Sequence, residues 1–590
     1  MVNYNNYNSN KNEHGILNLF FGNRVFFLLL IFAFVFIILI ARLAWVQLVC
    51  GSKYSDEAYS SQVPETTIVA KRGSIYDRNG ELLASSVDAK SVYANPQEIT
   101  DVTKTAEILY KYFGKEQQRK VDDYVELISQ EDLSFVYIKR SYDEDKAEKL
   151  KKELESANLE GIHFLDDTNR VYPSDSVGSQ VVGSVSYNSE DVLEGNSGLE
   201  LQYEDLLCGT NGTKKVEYGA NGIPIATDDN EITPAQDGED IMISLDIRLQ
   251  EYVEKRLKKA VKANDAEGGS VTIVDAKTGE IYAAASYAKQ TDKKTKKVSY
   301  TQDVGKIWSF SDTYEPGSTF KAITACSVFA NTSVTAKTKF SVPDSLKVYD
   351  HKINDSHEHD TVRMTFKQII AESSNVGTVL AARKAKLSEL YDTYKSFGFT
   401  KAPDTDFPGV TSGIVEESKD WDGVQAANVT FGQGLTVTGL QLVRAYGAIE
   451  QDGKMTTPHF LIDLPHDSEK ASELLEKYEK TQTVEDKKAC KKVTKLLRSV
   501  VTSGTGKSAA IDGYKVVGKT GTAEVADETG SYAKDEYNVS FAGWLEGSSS
   551  DLVCLVTVQK PGNGADGAAA CGPVFADIMS FAIDRYQINP

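Results

Sequence analysis

Apolar and polar positions change period several times along this chain, and each change marks an element. An uncharged run from Val25 to Ala41 is bracketed by Arg24 and Arg42, and apolar character resumes through Leu43-Ala-Trp-Val-Gln-Leu-Val49 if Arg42 snorkels. A run near the ~20 residues that cross a bilayer predicts one membrane-spanning helix over 25–45, behind a polar, Asn-rich disordered tail at 1–24. No small-residue cleavage site follows it, which disfavours a removed signal peptide, and the bulky Val49 before Cys50 disfavours a lipoprotein site. Flanking charges nearly balance, so the pattern alone does not orient the helix.

Beyond the span, a β-like run from Thr67 leads into an Asn79-Gly80 turn and a second apolar run ending at Ala84, the signature of a hairpin. Residues 104–160 carry helical periodicity with many charges and predict solvated helices on a small α+β domain. From Val171 to Gly212 the chain turns Gly- and Ser-rich, so a first domain is expected at 60–220 and a linker at 221–240. Strands over Asp240–Leu245 and Gly269–Val274 flank a helix from Ile247 to Ala263, and Lys277 to Ala283 supplies a turn and another strand. A larger α/β domain is therefore expected at 241–590, interrupted by an exposed basic loop from Lys289 to Lys297.

Composition narrows this little. The 590 residues are 41% hydrophobic and 25% charged, as in ordinary globular domains, and the net charge of −20 argues against nucleic acid as a partner. Six cysteines lack CxxC spacing, so neither a zinc site nor a dense disulfide framework is legible; one bridge is conceivable, and Cys554 with Cys571 is its first candidate. His351, His357 and His359 near Asp355 and Asp360 fit a polar loop as well as a metal site, and no metal is assigned. Gly504-Thr-Gly-Lys-Ser508 imitates a phosphate loop without its first glycine.

The candidate chemistry begins at Glu315-Pro-Gly-Ser-Thr-Phe-Lys321. If a helix starts at Ser318, Lys321 lies one turn on, on the same face, and the apolar run Ala322 to Ala330 would bury both. Burial lowers a lysine's pKa and leaves neutral amine to take the serine proton. The SxxK spacing recurs at Ser286 to Lys289 and at Ser531 to Lys534, so context must choose. Downstream lie Ser373-Ser-Asn375, after the helix-like Phe366 to Glu372, and Lys519-Thr-Gly-Thr522, after the strand-like Tyr514 to Gly518. Each again has a decoy, Ser156-Ala-Asn158 and Lys277-Thr-Gly279; the ordered set of three in one domain carries the information. Singly, Ser318, Ser373 and Asn375 also suit helix caps and Thr520 an ordinary strand.

These three patterns resemble the signature motifs of the penicillin-recognising serine transferases. With Arg72-Gly-Ser-Ile-Tyr-Asp-Arg-Asn-Gly80, Gly198-Leu-Glu-Leu-Gln-Tyr203, Phe431-Gly-Gln-Gly-Leu-Thr-Val-Thr438 and Gly572-Pro-Val-Phe575, the chain is similar to the class B penicillin-binding proteins, most like their septal division and sporulation branch. The resemblance implies a β-lactamase-like α/β (α+β) transpeptidase domain on an elongated β-rich pedestal. It implies a D,D-transpeptidase, inhibited by β-lactams and needing no cofactor, that cross-links peptidoglycan stem peptides. Ser318 would be the nucleophile, Lys321 its base, Ser373 a proton relay, Asn375 a hydrogen-bonding partner of the substrate amide, and Lys519 a positive charge that holds Lys321 neutral. Thr520, Gly521 and Thr522 would bind substrate, with an oxyanion hole from the N–H groups of Ser318 and Thr522. The family's pattern also implies a cytoplasmic N-terminus, a single pass, an extracytoplasmic catalytic domain, and contacts to a membrane glycan polymerase and divisome proteins. Two departures stand out: a longer, more basic segment between Ala285 and Thr313, and a chain ending soon after Gly572-Pro-Val-Phe575. A hydrolytic relative or a non-catalytic scaffold or sensor are the alternatives.

Overall fold

The computed structural model describes residues 14–50, 53, 65–130, 132–189, 192–216, 231–349, 351–526 and 532–590. One unbroken helix runs from His14 to Leu48, and its stretch Phe26–Leu48 is long and apolar enough to cross a membrane. The expected tail at 1–24 is thus helical from His14 on, because extending a formed helix costs little per residue; residues 1–13 lie outside the described set.

The chain divides into two compact units. The first, 1–69 with 211–235, holds a three-stranded antiparallel sheet of Glu65–Ile68, Gly212–Lys215 and Glu231–Thr233. The second, 70–210 with 236–590, contains all the candidate site residues.

Within the second unit, Ile75–Tyr76 and Leu82–Ala94 form the expected hairpin, with Gly80 at φ 80° in its turn. The long strand Leu82–Ala94 also pairs with Val136–Asp143 and Ile162–Val171. Val136–Asp143 lies inside the stretch expected to be helical but forms a strand between helices Val121–Ile128 and Glu144–Ser156, because it pairs with Ala89–Ala94 and buries Ile138 and Tyr142. Contacts run across the expected linker: Ile241–Ile243 pairs in parallel with Ile75–Tyr76, and Asp77 accepts hydrogen bonds from Asn79, Glu81 and Ile247 N–H. Residues 217–230 of that segment lie outside the described set. Two sequence motifs meet in one buried network, where Arg72 Nε and Arg170 Nε donate to the two oxygens of Glu200 at 2.6 and 2.7 Å. Tyr203 Oη donates to Asp406 at 2.6 Å, and Asp406 also accepts from Phe460 and Leu461 N–H.

The largest sheet of the C-terminal portion has six antiparallel strands in the order Val298–Thr301, Ile281–Thr291, Gly268–Asp275, Leu552–Gln559, Tyr532–Leu545, Val516–Ala526. It is covered on both faces, so Leu552–Gln559 reads as a continuous apolar run. Cys554 and Val556 face the core with helices Ile247–Ala263 and Gly572–Tyr586, while Val553 and Leu555 face the core with Lys321–Asn331 and Gly439–Glu450. Helix Ile247–Ala263 forms over the residues expected, capped by Asp246. The basic run becomes the exposed tip of a hairpin between Ile281–Thr291 and Val298–Thr301, with Lys289 in the strand and paired to Asp265 at 2.8 Å. Cys554 and Cys571 are buried free thiols, so the conceivable bridge is absent.

Candidate active site

Ser318 sits in a 3₁₀ turn, Gly317–Phe320, and the α-helix proper begins at Lys321 rather than at Ser318. The tighter turn suits Gly317, whose φ of 53° disfavours other residues and whose Cα packs on the Thr522 carbonyl. Gly317 N–H donates to Gly432 O at 3.0 Å, and Tyr446 Oη to Thr319 O at 2.7 Å, so the turn is pinned from two sides. The Phe431–Thr438 motif is thereby explained: Gly432 backs the serine turn, and Thr438 caps helix Gly439–Glu450 with Gln441 at N3.

Lys321 is wholly buried, and its Nζ lies 2.5 Å from Ser373 O, 2.7 Å from Asn375 Oδ1 and 3.3 Å from Ser373 Oγ. Lys519, also wholly buried, donates from Nζ to the same Ser373 Oγ at 2.8 Å and to Thr520 O at 3.1 Å. One hydroxyl therefore bridges two amines. Burial first, then the Lys519 charge, holds the Lys321 amine well below the ordinary lysine range; burial alone brings Lys519 down to about 7.

Ser373 has φ 61°, a strained setting for a serine, between helices Phe366–Ala371 and Asn375–Ala382. Ser374 Oγ caps the second helix by accepting from Gly377 N–H at 2.8 Å, and donates to Asp355 Oδ2 at 2.6 Å. Asp355 Oδ1 accepts from Val376 N–H at 2.9 Å, and Asn375 Nδ2 donates to Asn354 O at 3.0 Å. Hairpin Ser345–Val348/His351–Asn354 thus fixes the start of the Asn375 helix. His359 Nε2 lies 3.1 Å from Asp355 Oδ2, so the histidine-rich segment supports a helix start, and among the described residues no group fits a metal.

Lys519 to Thr522 lie within the edge strand Val516–Ala526, beyond the short run expected to precede them. Thr520 Oγ1 meets Thr505 Oγ1 at 2.7 Å. Because Thr522 O faces the Gly317 turn, and a residue's N–H and C=O share one side of a strand, Thr522 N–H also points toward the serine turn. A Cβ at Gly521 would stand 2.3 Å from Ser540 Oγ on the neighbouring strand, 3.0 Å from the Thr319 methyl and 3.1 Å from Pro316 O, so glycine lets the edge strand pack against both its neighbour and the serine turn.

A groove of about 660 Å³ is lined by Ser318, Ser373, Asn375, Thr520 and Thr522 among others, so both serines and the strand edge open onto one space. The decoys lie elsewhere: Ser286 is buried in a strand, hydrogen-bonded to Gln180, Ser156-Ala-Asn158 ends a helix, and Lys277-Thr-Gly279 is a turn. Ser531 lies outside the described residues. Sequence reading missed Asp355, Ser374 and Thr505; Thr505 had a signal in the discarded phosphate-loop imitation, Asp355 only in the histidine segment.

Residues 269–580 match the family model described as the penicillin binding protein transpeptidase domain, and residues 67–243 the one described as the penicillin-binding protein dimerisation domain. The chain is 30% identical to the probable peptidoglycan D,D-transpeptidase PenA of Neisseria gonorrhoeae over 96% of this chain and 94% of that protein. It is 28% identical to the stage V sporulation protein D of Bacillus subtilis over 98% and 88%. The crystal structure of penicillin binding protein 2X from Streptococcus thermophilus superposes with a TM-score of 0.66 at 26% identity, covering 88% of this chain and 80% of that one.

Proposed function

This chain belongs to the class B penicillin-binding proteins, and from that membership we infer how its groove works. It is a membrane-anchored peptidoglycan D,D-transpeptidase that binds stem peptides ending in D-Ala-D-Ala and is a target of β-lactams. The observation that carries the assignment of roles is the Ser373 hydroxyl held between two buried amines beside Ser318.

Ser318 Oγ attacks the penultimate D-Ala carbonyl as Lys321, kept neutral by burial, takes its proton. The N–H groups of Ser318 and Thr522 stabilise the oxyanion, a donor of this kind being worth about 3–4 kcal/mol. Ser373 passes a proton to the departing D-Ala amine, and the amine of a second stem peptide then displaces the acyl group from Ser318, restoring the serine and forming the cross-link. Asn375, already holding Lys321, orients the donor amide. Lys519, with Thr520 and Thr522, draws the terminal carboxylate. Presented with a D-Ala-D-Ala donor and an amine acceptor, the full chain releases D-Ala and forms the acceptor amide, and Ser318→Ala does neither. Hydrolysis that still dominates at saturating acceptor contradicts a transpeptidase.

We further propose that the apolar helix is a single pass with residues 1–24 in the cytoplasm, since peptidoglycan lies outside the membrane and the groove must meet it there. The second apolar helix, Gly567–Tyr586, is half-buried against the catalytic sheet, which supports one span. Protease shaving of whole cells should digest 241–590 and spare 1–24; the reverse pattern contradicts this. Residues 60–220 are proposed to dock a membrane glycan polymerase and divisome proteins, which photo-crosslinkers placed there would capture; crosslinks to neither remove the proposal.

A further inference from the structure

The groove is charged unequally along its length. The two buried lysines meet Ser373 at one end. Two positions beyond Thr522 on the same strand, and so on the same face, Glu524 lines the groove as well. Its Oε2 accepts from Gln433 Nε2 at 3.1 Å, and among the described residues no protein donor reaches Oε1. The other acids nearby are committed. Glu315 accepts from Gly434 N–H at 2.9 Å and from Tyr532 Oη at 3.1 Å, Asp355 holds the Asn375 helix, and Asp566 caps Gly567–Ala570 through Ala569 N–H. Lys352 lies on the strand whose Asn354 carbonyl holds Asn375, and it also lines the groove.

The edge strand sets a register for the donor. With its scissile carbonyl between the Ser318 and Thr522 N–H groups and its terminal carboxylate toward Thr520, the donor continues upstream past Thr522. Its residue before D-Ala-D-Ala falls one strand position on, roughly 3.4 Å, opposite Ala523 and within a long side chain's reach of Glu524. Cross-linking consumes an amine carried by the stem peptide itself, so a donor of the same kind brings an ammonium to that region. Resting on the transpeptidase reading above, we propose that Glu524 is a specificity-determining residue that pairs with the ammonium of the amine-bearing residue preceding D-Ala-D-Ala on the donor strand.

The test compares two donor peptides, one with that amine free and one with it N-acetylated, by kcat/KM for D-Ala release from the full chain in detergent. A charge-assisted hydrogen bond in a half-buried setting favours the free amine by about tenfold in the wild type. Glu524→Gln narrows the ratio to near one, and Glu524→Lys inverts it. Equal rates for both donors in the wild type overturn the proposal without any variant, as does a tenfold preference that survives in Glu524→Gln. Mass analysis of a penicillin adduct on Ser318 separates the two levels of inference. An adduct together with equal donor rates removes the role of Glu524 alone, whereas no adduct and no D-Ala release remove the transpeptidase reading and this proposal with it.

Discussion

Two amines against one hydroxyl cannot both hold a proton cheaply in a buried site. Lys519 is brought to about 7 by burial and so is partly charged near neutrality, while burial and then that neighbouring charge hold the Lys321 amine well below the ordinary lysine range. Acylation by a chromogenic β-lactam should therefore weaken as pH rises above about 7 and Lys519 loses its proton, and weaken again in acid as Lys321 gains one. A rate flat from about pH 6 to 9 contradicts the assignment. The same burial affects folding. A lysine whose folded pKa lies below its unfolded value leaves the unfolded chain holding more protons, so the stability it withholds is regained as pH rises from about 7 toward the unfolded lysine value. Lys519→Met should raise the melting temperature by a few degrees at about pH 6, the gain shrinking by about pH 9, while acylation falls by about 10²–10⁴. A melting point unchanged or lowered at both pH values would show that the amine carries no such penalty.

At the scale of elements, the site depends on where helices begin. Asn375 is placed because Ser374 caps its helix and Asp355 holds both Ser374 Oγ and Val376 N–H. Asp355→Ala should therefore slow acylation by about 100-fold through misplacement of Asn375. The melting temperature should fall only slightly, as the loss resembles a cap of about 1 kcal/mol; acylation at the wild-type rate would refute the linkage. The same elements explain what the sequence could disclose. Ser318, Ser373 and Lys519 were legible because each lies in a short pattern with a recognisable setting. Asp355 and Thr505 were not, because a carboxylate or hydroxyl in a polar loop looks alike whether it meets solvent or a helix start, and the contact that decides arises only on folding. The 3₁₀ turn at Ser318 was hidden for a related reason, since Gly317 signals a backbone break without telling which turn follows.

In the molecule as a whole, the motifs distant in sequence from Ser318 have structural work of their own. Arg72, from the first, and Glu200, from the second, meet Arg170 in a buried network, while Asp77 and Tyr203 reach Ile247 and Asp406 of the catalytic portion. Glu200→Gln would leave the buried Arg170 without its carboxylate and Arg72 with Glu204 alone, and should cost about 3–5 kcal/mol in urea unfolding; a loss below about 1 kcal/mol contradicts that role. Such pairings explain why the sequence showed the strand over Asp240–Leu245 but not its partner: Ile241–Ile243 joins the sheet of Ile75–Tyr76. Strand partners distant in sequence leave no local trace. The account as a whole requires that three distant patterns converge on one acylable oxygen. Intact-mass analysis of the full chain after exposure to penicillin, followed by peptide mapping, tests this most directly. The expected result is one long-lived adduct on Ser318, absent from Ser318→Ala and slowed in Lys321→Ala; an adduct on any other residue, or none, would contradict it.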